Sequence, residues 1–142
     1  MVFGGASDQI RQLHQQLEAK KVHCRLLQVS AAFHTRYIAA AATPFRQKLA
    51  AVSFQAPHGT LYSTALAQAY PDTPAAITEV LANQLIQPVL FRQTIEALYQ
   101  QGGRLFIEIG PKGVLGKLVA DILKDRPHSV VSLNTSDKGE ER

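Results

Sequence analysis

Tryptophan is absent from these 142 residues, and cysteine and methionine occur once each. With Cys24 alone no disulfide can close within the chain, and such usage fits a reducing compartment, so a cytoplasmic location is expected. No apolar run approaches the roughly 18–20 residues that a helix needs to cross a bilayer, and no membrane association is expected. The opening Met1-Val2-Phe3-Gly4-Gly5 has neither a basic segment nor a long apolar one, so no secretory signal is expected. Charge is sparse as well. Charged residues make up 18%, the net charge is +4, and Lys and Arg are scattered rather than interleaved with aromatics. That argues against nucleic acid and suits a phosphate-bearing cofactor or an acidic protein equally well.

The chemistry-bearing residues narrow the field further. His14, His23, Cys24, His34, His58 and His128 give no CxxC, HxxxH or HExxH spacing, so no metal is expected. Gly110-Pro111-Lys112-Gly113-Val114-Leu115-Gly116-Lys117-Leu118 has the strand-to-helix setting of a phosphate loop. However, five residues instead of four separate Gly110 from Gly116, and Leu118 stands where a metal-binding hydroxyl belongs. Its expected role is a tight turn with close helix packing. None of the serines lies in a G-x-S-x-G elbow, so no activated hydroxyl is evident.

What is present is 46% hydrophobic residues in periodic runs, enough for the core of one domain or of a piece of a larger one. Val2-Phe3 reads as the end of a strand, and Ser7 as the N-cap of a helix whose apolar stripe is Ile10, Leu13 and Leu17. Residues 22–29 read as a strand. Strand, helix and strand so close to the start make half of an α+β unit, and truncation at the N-terminus is expected. Residues 35–52 carry a helical stripe (Ile38, Ala41, Phe45, Leu49, Val52) interrupted by Thr43-Pro44, either a kinked helix or a short one followed by a longer one. A short strand is expected at 60–64 and a loop at 67–71.

Thr73-Pro74 starts a helix with Ile77, Val80, Leu81 and Leu85 on its buried face. Gln84 shares that face, so its amide needs a partner, with a backbone group or water as the alternative to a specific one. Phe91, Ile95, Leu98 and Tyr99 build another helix, which stops at Gly102-Gly103. Residues 105–109 are nearly all apolar, as in a central parallel strand covered on both faces. A helix with the stripe Val114, Leu115, Leu118, Val119, Ile122 and Leu123 follows, then a last strand at 128–133, completing a βαβ unit. The polar residues 135–142 read as a disordered tail or a linker.

The most interesting stretch is residues 26–35, an apolar strand that runs into small residues and delivers His34 at its end. Histidine changes charge near neutral pH and is the commonest general base, so an imidazole fixed after a buried strand is a catalytic candidate. The bland reading is a packed or partly exposed histidine with no chemistry.

Ala32-Phe33-His34-Thr35, then Asn83-Gln84-Leu85-Ile86-Gln87-Pro88-Val89, then Phe106-Ile107-Glu108-Ile109-Gly110-Pro111 occur in an order and spacing that resembles a known family. It is the C-terminal half of malonyl-CoA:acyl carrier protein transacylases and of the acyltransferase domains of polyketide and fatty acid synthases. The resemblance implies an α/β fold, part of an α/β-hydrolase-like large subdomain with the remnant of an inserted ferredoxin-like small subdomain. On that frame, residues 1–31 are the C-terminal part of the small subdomain and 32–134 the C-terminal part of the large one. It implies that His34 is the general base and that a carbonyl oxygen of Gln84 orients it, which supplies the inward-facing amide with a partner. Phe33 is then the substrate-binding residue that goes with malonyl rather than methylmalonyl. Gly110-Pro111 is a structural turn.

The implied activity is malonyl transfer from coenzyme A, through a serine ester, to the phosphopantetheine of an acyl carrier protein, with no bound cofactor. The nucleophile elbow, the arginine that pairs with the malonyl carboxylate and the oxyanion-hole glutamine are expected upstream, in a missing N-terminal half. The chain alone is expected to be inactive. Two departures are Thr35, where serine is usual, and Ala31, where malonyl-type synthase domains often have histidine. The alternative from another class is a non-catalytic packing segment or a docking segment for an acidic carrier protein.

Overall fold

The computed structural model of the chain describes residues 1–134; the expected tail or linker, 135–142, lies outside the described residues. The fold is mixed α/β. Its elements are α1 (Ser7–Ala19), a 3-10 turn (Arg36–Ile38), α2 (Ala39–Leu49), β1 (Tyr62–Ser63), β2 (Gln68–Ala69), α3 (Pro74–Gln84) and α4 (Phe91–Gln100). Then come β3 (Leu105–Glu108), a second 3-10 turn (Pro111–Gly113), α5 (Val114–Ile122) and β4 (Ser129–Ser132). Among the described residues no helix is long and apolar enough to cross a membrane. The described residues divide into two compact units, Met1–Ala65 with Ala69–Val89, and Leu66–Gln68 with those from Leu90 on.

In the first unit, α1 forms as its stripe predicts, with Ile10, Leu13 and Leu17 half-buried. Its N-cap is Ala6 rather than Ser7: the Ala6 carbonyl accepts the Ile10 N–H at 3.0 Å, and Ser7 is already helical. The strands expected at residues 2–3 and 22–29 do not form. A strand exists only through a ladder to a neighbour, and among the described residues none runs alongside these segments. Val22, Leu26, Leu27 and Val29 are correspondingly about half exposed.

Helix α2 runs through Pro44 as one helix, so of the two expectations the split into a short helix and a longer one is not met; one missing N–H is tolerated where the turns on either side hold. Its buried residues are Ala42 and Leu49, with Arg46 half-buried between them, whereas Phe45 and Val52 are exposed. That face packs on α3, where Ile77 and Ala82 are buried. Arg46 bridges the two helices, donating to both carboxylate oxygens of Glu79 (3.0 and 3.2 Å) and to Asn83 Oδ1 (3.2 Å). Helix α3 starts at Pro74 after Thr73, as expected. Residues 68–69 form a short strand where a loop was expected, and the Tyr70 N–H donates to the Leu61 carbonyl at 2.7 Å.

The second unit holds the βαβ arrangement. Strands β3 and β4 pair in parallel, Leu105 with Ser129 through Glu108 with Ser132, and α5 connects them. The core is Ile95, Val119 and Leu123, with Phe91, Leu98, Tyr99, Phe106, Ile122 and Val130 packed around it. Helix α4 ends as expected, with Gly102 at a φ of 96°. Strand β3 is covered on one face only: Leu105 and Ile107 are 60% and 53% exposed while Phe106 faces the core. A two-stranded sheet with its helices on one side has only that side to bury. The same geometry splits the α5 stripe, leaving Val114, Leu115 and Leu118 exposed and turning Gly116, Val119 and Leu123 inward.

Candidate active site

The turn that carries His34 is built from the main chain. Residues 26–35 do not reach it as a strand; the chain instead folds over small residues and enters the 3-10 turn at Arg36. His34 itself has a φ of 61°, in the left-handed region. Histidine tolerates that region better than bulky residues do, yet such a conformation typically costs about 1–3 kcal/mol and persists only when its surroundings impose it.

Three sets of contacts impose it here. The His34 N–H donates to the Leu85 carbonyl at 2.8 Å. The His34 ring nitrogen Nδ1 lies 2.9 Å from the main-chain carbonyl oxygen of Gln84. The Thr35 hydroxyl donates to the Ala32 carbonyl at 2.6 Å and accepts the Tyr37 N–H at 3.2 Å.

These contacts explain one another. Gln84 is the last residue of α3 and Leu85 its C-cap, so their carbonyls have no partner within the helix and point out of its end. His34 takes up both, one with its backbone N–H and one with its ring. A carbonyl oxygen can only accept, so Nδ1 carries the proton and, in the neutral ring, the lone pair is on Nε2. The arrangement is a half-buried, oriented imidazole whose second nitrogen can accept a proton.

The structure thus brings together His34 and Gln84, fifty residues apart in sequence, through the main chain rather than through the amide. The inward-facing amide argued from the sequence has a different partner: Gln84 Oε1 accepts from the Tyr70 hydroxyl at 3.4 Å. Phe33, next to His34 on the turn, is 51% exposed. Tyr70, Thr35 and Arg46, which steadies the last turns of α3 through Glu79 and Asn83, escaped the sequence reading as parts of this site. Only Thr35 left a trace, as the residue after His34 in the motif, where serine is usual.

The stretch from Gly110 to Leu118, with its phosphate-loop setting, does something else. Glu108 at the end of β3 accepts the N–H groups of Gly116 (2.8 Å) and Leu115 (3.1 Å) and the Ser132 hydroxyl (3.2 Å). The first-turn donors of α5, where an anion would be held, are therefore taken by a side chain of the same unit. Those donors, the Gly116 N–H foremost, hold the Glu108 carboxyl below its ordinary value, against the opposing effect of desolvation.

Comparison with known proteins agrees with this arrangement of elements. Residues 1–140 match the family model described as acyl transferase domain. The mitochondrial malonyl-CoA-acyl carrier protein transacylase of Homo sapiens is 38% identical over 125 residues, covering 83% of this chain and 31% of that protein. A polyketide biosynthesis acyltransferase homolog of Bacillus subtilis is 30% identical over 122 residues, covering 86% of this chain and 37% of that protein. The chain thus spans about a third of the length of these relatives. Among solved structures, malonyl-CoA:acyl carrier protein transacylase from Xanthomonas oryzae pv. oryzae superimposes with a TM-score of 0.81 at 28% identity, covering 91% of this chain and 40% of that one. The order of the three motifs, the mixed α/β fold and the family match lead to one conclusion: the chain belongs to the acyl transferase domain family that includes the malonyl-CoA:acyl carrier protein transacylases and the polyketide synthase acyltransferases.

Proposed function

We propose that this chain is the base-bearing part of an acyltransferase that moves a malonyl group from coenzyme A to an acyl carrier protein through a serine ester. His34 is the general base and Gln84 is its orienting residue, acting through the main-chain carbonyl. The observation that carries the reading is the 2.9 Å contact between Nδ1 of His34 and the oxygen of Gln84, because it leaves Nε2 to do the chemistry. Phe33, half-exposed on the same turn, belongs to the acyl pocket and favours malonyl over a branched substrate.

In this mechanism Nε2 takes the proton of a serine hydroxyl as its oxygen attacks the malonyl thioester. The imidazolium, stabilised by the carbonyl at Nδ1, returns the proton to the departing thiolate of coenzyme A. In the second half the phosphopantetheine thiol gives its proton to Nε2 and attacks the ester, and the imidazolium returns that proton to the departing serine oxygen, restoring the free hydroxyl and the neutral base. An aspartate performs the orienting role in a Ser-His-Asp triad; a neutral carbonyl at a helix end performs it here. The serine belongs to the N-terminal half of the acyltransferase domain, and the isolated chain is inactive. Residues 1–31 belong to a ferredoxin-like small subdomain and 32–134 to an α/β-hydrolase-like large one. The single cysteine supports a cytoplasmic or other reducing compartment.

His34→Ala in the full-length protein is expected to lower acyl-serine formation from malonyl-CoA by about three orders of magnitude or more, with the fold intact by circular dichroism. Wild-type labelling of that variant would remove His34 from the mechanism and favour a docking or packing role.

A further inference from the structure

The left-handed turn at His34 is clasped from outside by one side chain. Thr35 donates its hydroxyl to Ala32 on one flank of His34 and accepts from Tyr37 on the other, at 2.6 and 3.2 Å. Both bonds fix the side-chain torsion of a β-branched residue, and so fix where its methyl points. It points at Gly4. A Cβ added to Gly4 would come 2.8 Å from Thr35 Cγ2 and 3.7 Å from Ala32 Cβ, so only glycine leaves room for that methyl. The neighbouring contacts run the same way: a Cβ on Gly5 would meet the Tyr37 ring at 3.9 Å, and the Tyr37 hydroxyl donates to Gln9 Oε1 of α1 at 3.2 Å.

We propose that Thr35 is a positioning residue for His34 and that Gly4 is its seat. The hydroxyl holds the two flanks of the turn, and the methyl packed on the bare Cα of Gly4 keeps the hydroxyl in the rotamer that makes both bonds. Thr35 touches no reacting atom; it acts through the backbone of His34. The inference rests on the reading of His34 as general base and adds that the segment before α1 is part of the catalytic scaffold.

The test is steady-state malonyl transfer by the full-length protein. Thr35→Val keeps the shape and removes the hydroxyl, and should lower kcat about tenfold with KM for malonyl-CoA within about twofold of wild type. Thr35→Ser keeps the hydroxyl and should retain most of the rate. Gly4→Ala drives a Cβ into the methyl and should lower kcat, and adding Thr35→Ser should restore it, because the methyl in the way is gone. That restoration keeps the test decisive even where Gly4→Ala alone folds poorly.

Wild-type kcat in Thr35→Val and Gly4→Ala, or a double variant no better than Gly4→Ala, overturns the inference. His34→Ala is run alongside. If it is inactive while the Thr35 and Gly4 variants are unimpaired, the positioning role alone has failed. If it keeps the wild-type rate, the general-base reading has failed and this inference goes with it.

Discussion

Two helix ends, one in each compact unit, are finished by side chains of opposite character. At the N-terminus of α5 an acidic side chain from β3, Glu108, accepts the free N–H groups of Leu115 and Gly116. At the C-terminus of α3 a histidine from a distant turn donates to the free carbonyl of Gln84 through its ring and to that of Leu85 through its backbone. Both satisfy groups that a helix cannot satisfy itself, and in each case the group fits the sign of the dipole at that end. The difference lies in which partner is held. Glu108 serves the helix, docking α5 against the sheet. At α3 the helix serves the side chain, because its end dictates which nitrogen of His34 carries the proton. One contact is structural; under the function proposed above, the other prepares a base.

That contrast can be broken first at α5. A Cβ on Gly116 would meet Ser132 Oγ at 2.9 Å, Val130 Cγ1 at 3.0 Å and Glu108 Oε2 at 3.2 Å, so Gly116→Ala presses α5 away from the strands and from its cap. A loss of about 1–3 kcal/mol in chemical unfolding of the full-length protein is expected, as for overpacking elsewhere. An unchanged midpoint would mean that the helix and sheet are less closely apposed than described.

A smaller effect comes from acid. The Glu108 carboxyl titrates below its ordinary value of 4.5 because the charged form accepts the Gly116 and Leu115 N–H groups and the Ser132 hydroxyl. A carboxylate depressed on folding adds stability that is present above its ordinary value and disappears as pH falls through the lowered one. The gap in melting temperature between wild type and Glu108→Gln should therefore be constant at neutral pH and close as pH falls from about 4.5 through the lowered value. A gap that persists unchanged into strong acid would assign the difference to something other than the capping charge.

Much of the second unit was legible from pattern. Its apolar positions repeat at helical and strand spacing, its helix stops at Gly102, and strand, helix and strand follow within thirty residues, so periodicity alone yields the βαβ arrangement. Pattern misled only about coverage. Leu105, Ile107 and Leu118 read as core but are exposed, since hydrophobicity does not say how many layers lie over a strand or helix.

The site was legible in another sense. The sequence motifs singled out His34 and Gln84, and these residues meet. The atoms that meet could not be read, because a main-chain carbonyl carries no residue label. The inward amide of Gln84 suggested a side-chain contact, and it bonds Tyr70 instead. The strand at 22–29 failed for a related reason: its apolar residues are real, but a ladder depends on a neighbour that local sequence does not name.

The central claim is that a main-chain oxygen, not the glutamine side chain, sets the proton on His34. Nitrogen-15 shifts of the His34 ring in the full-length protein, assigned by their loss in His34→Ala and read where the ring is neutral, report which nitrogen is protonated. The account predicts the Nδ1–H form in wild type and the same form in Gln84→Ala, since alanine presents the same carbonyl. The Nε2–H form in wild type, or its appearance when the Gln84 side chain is removed, would contradict it.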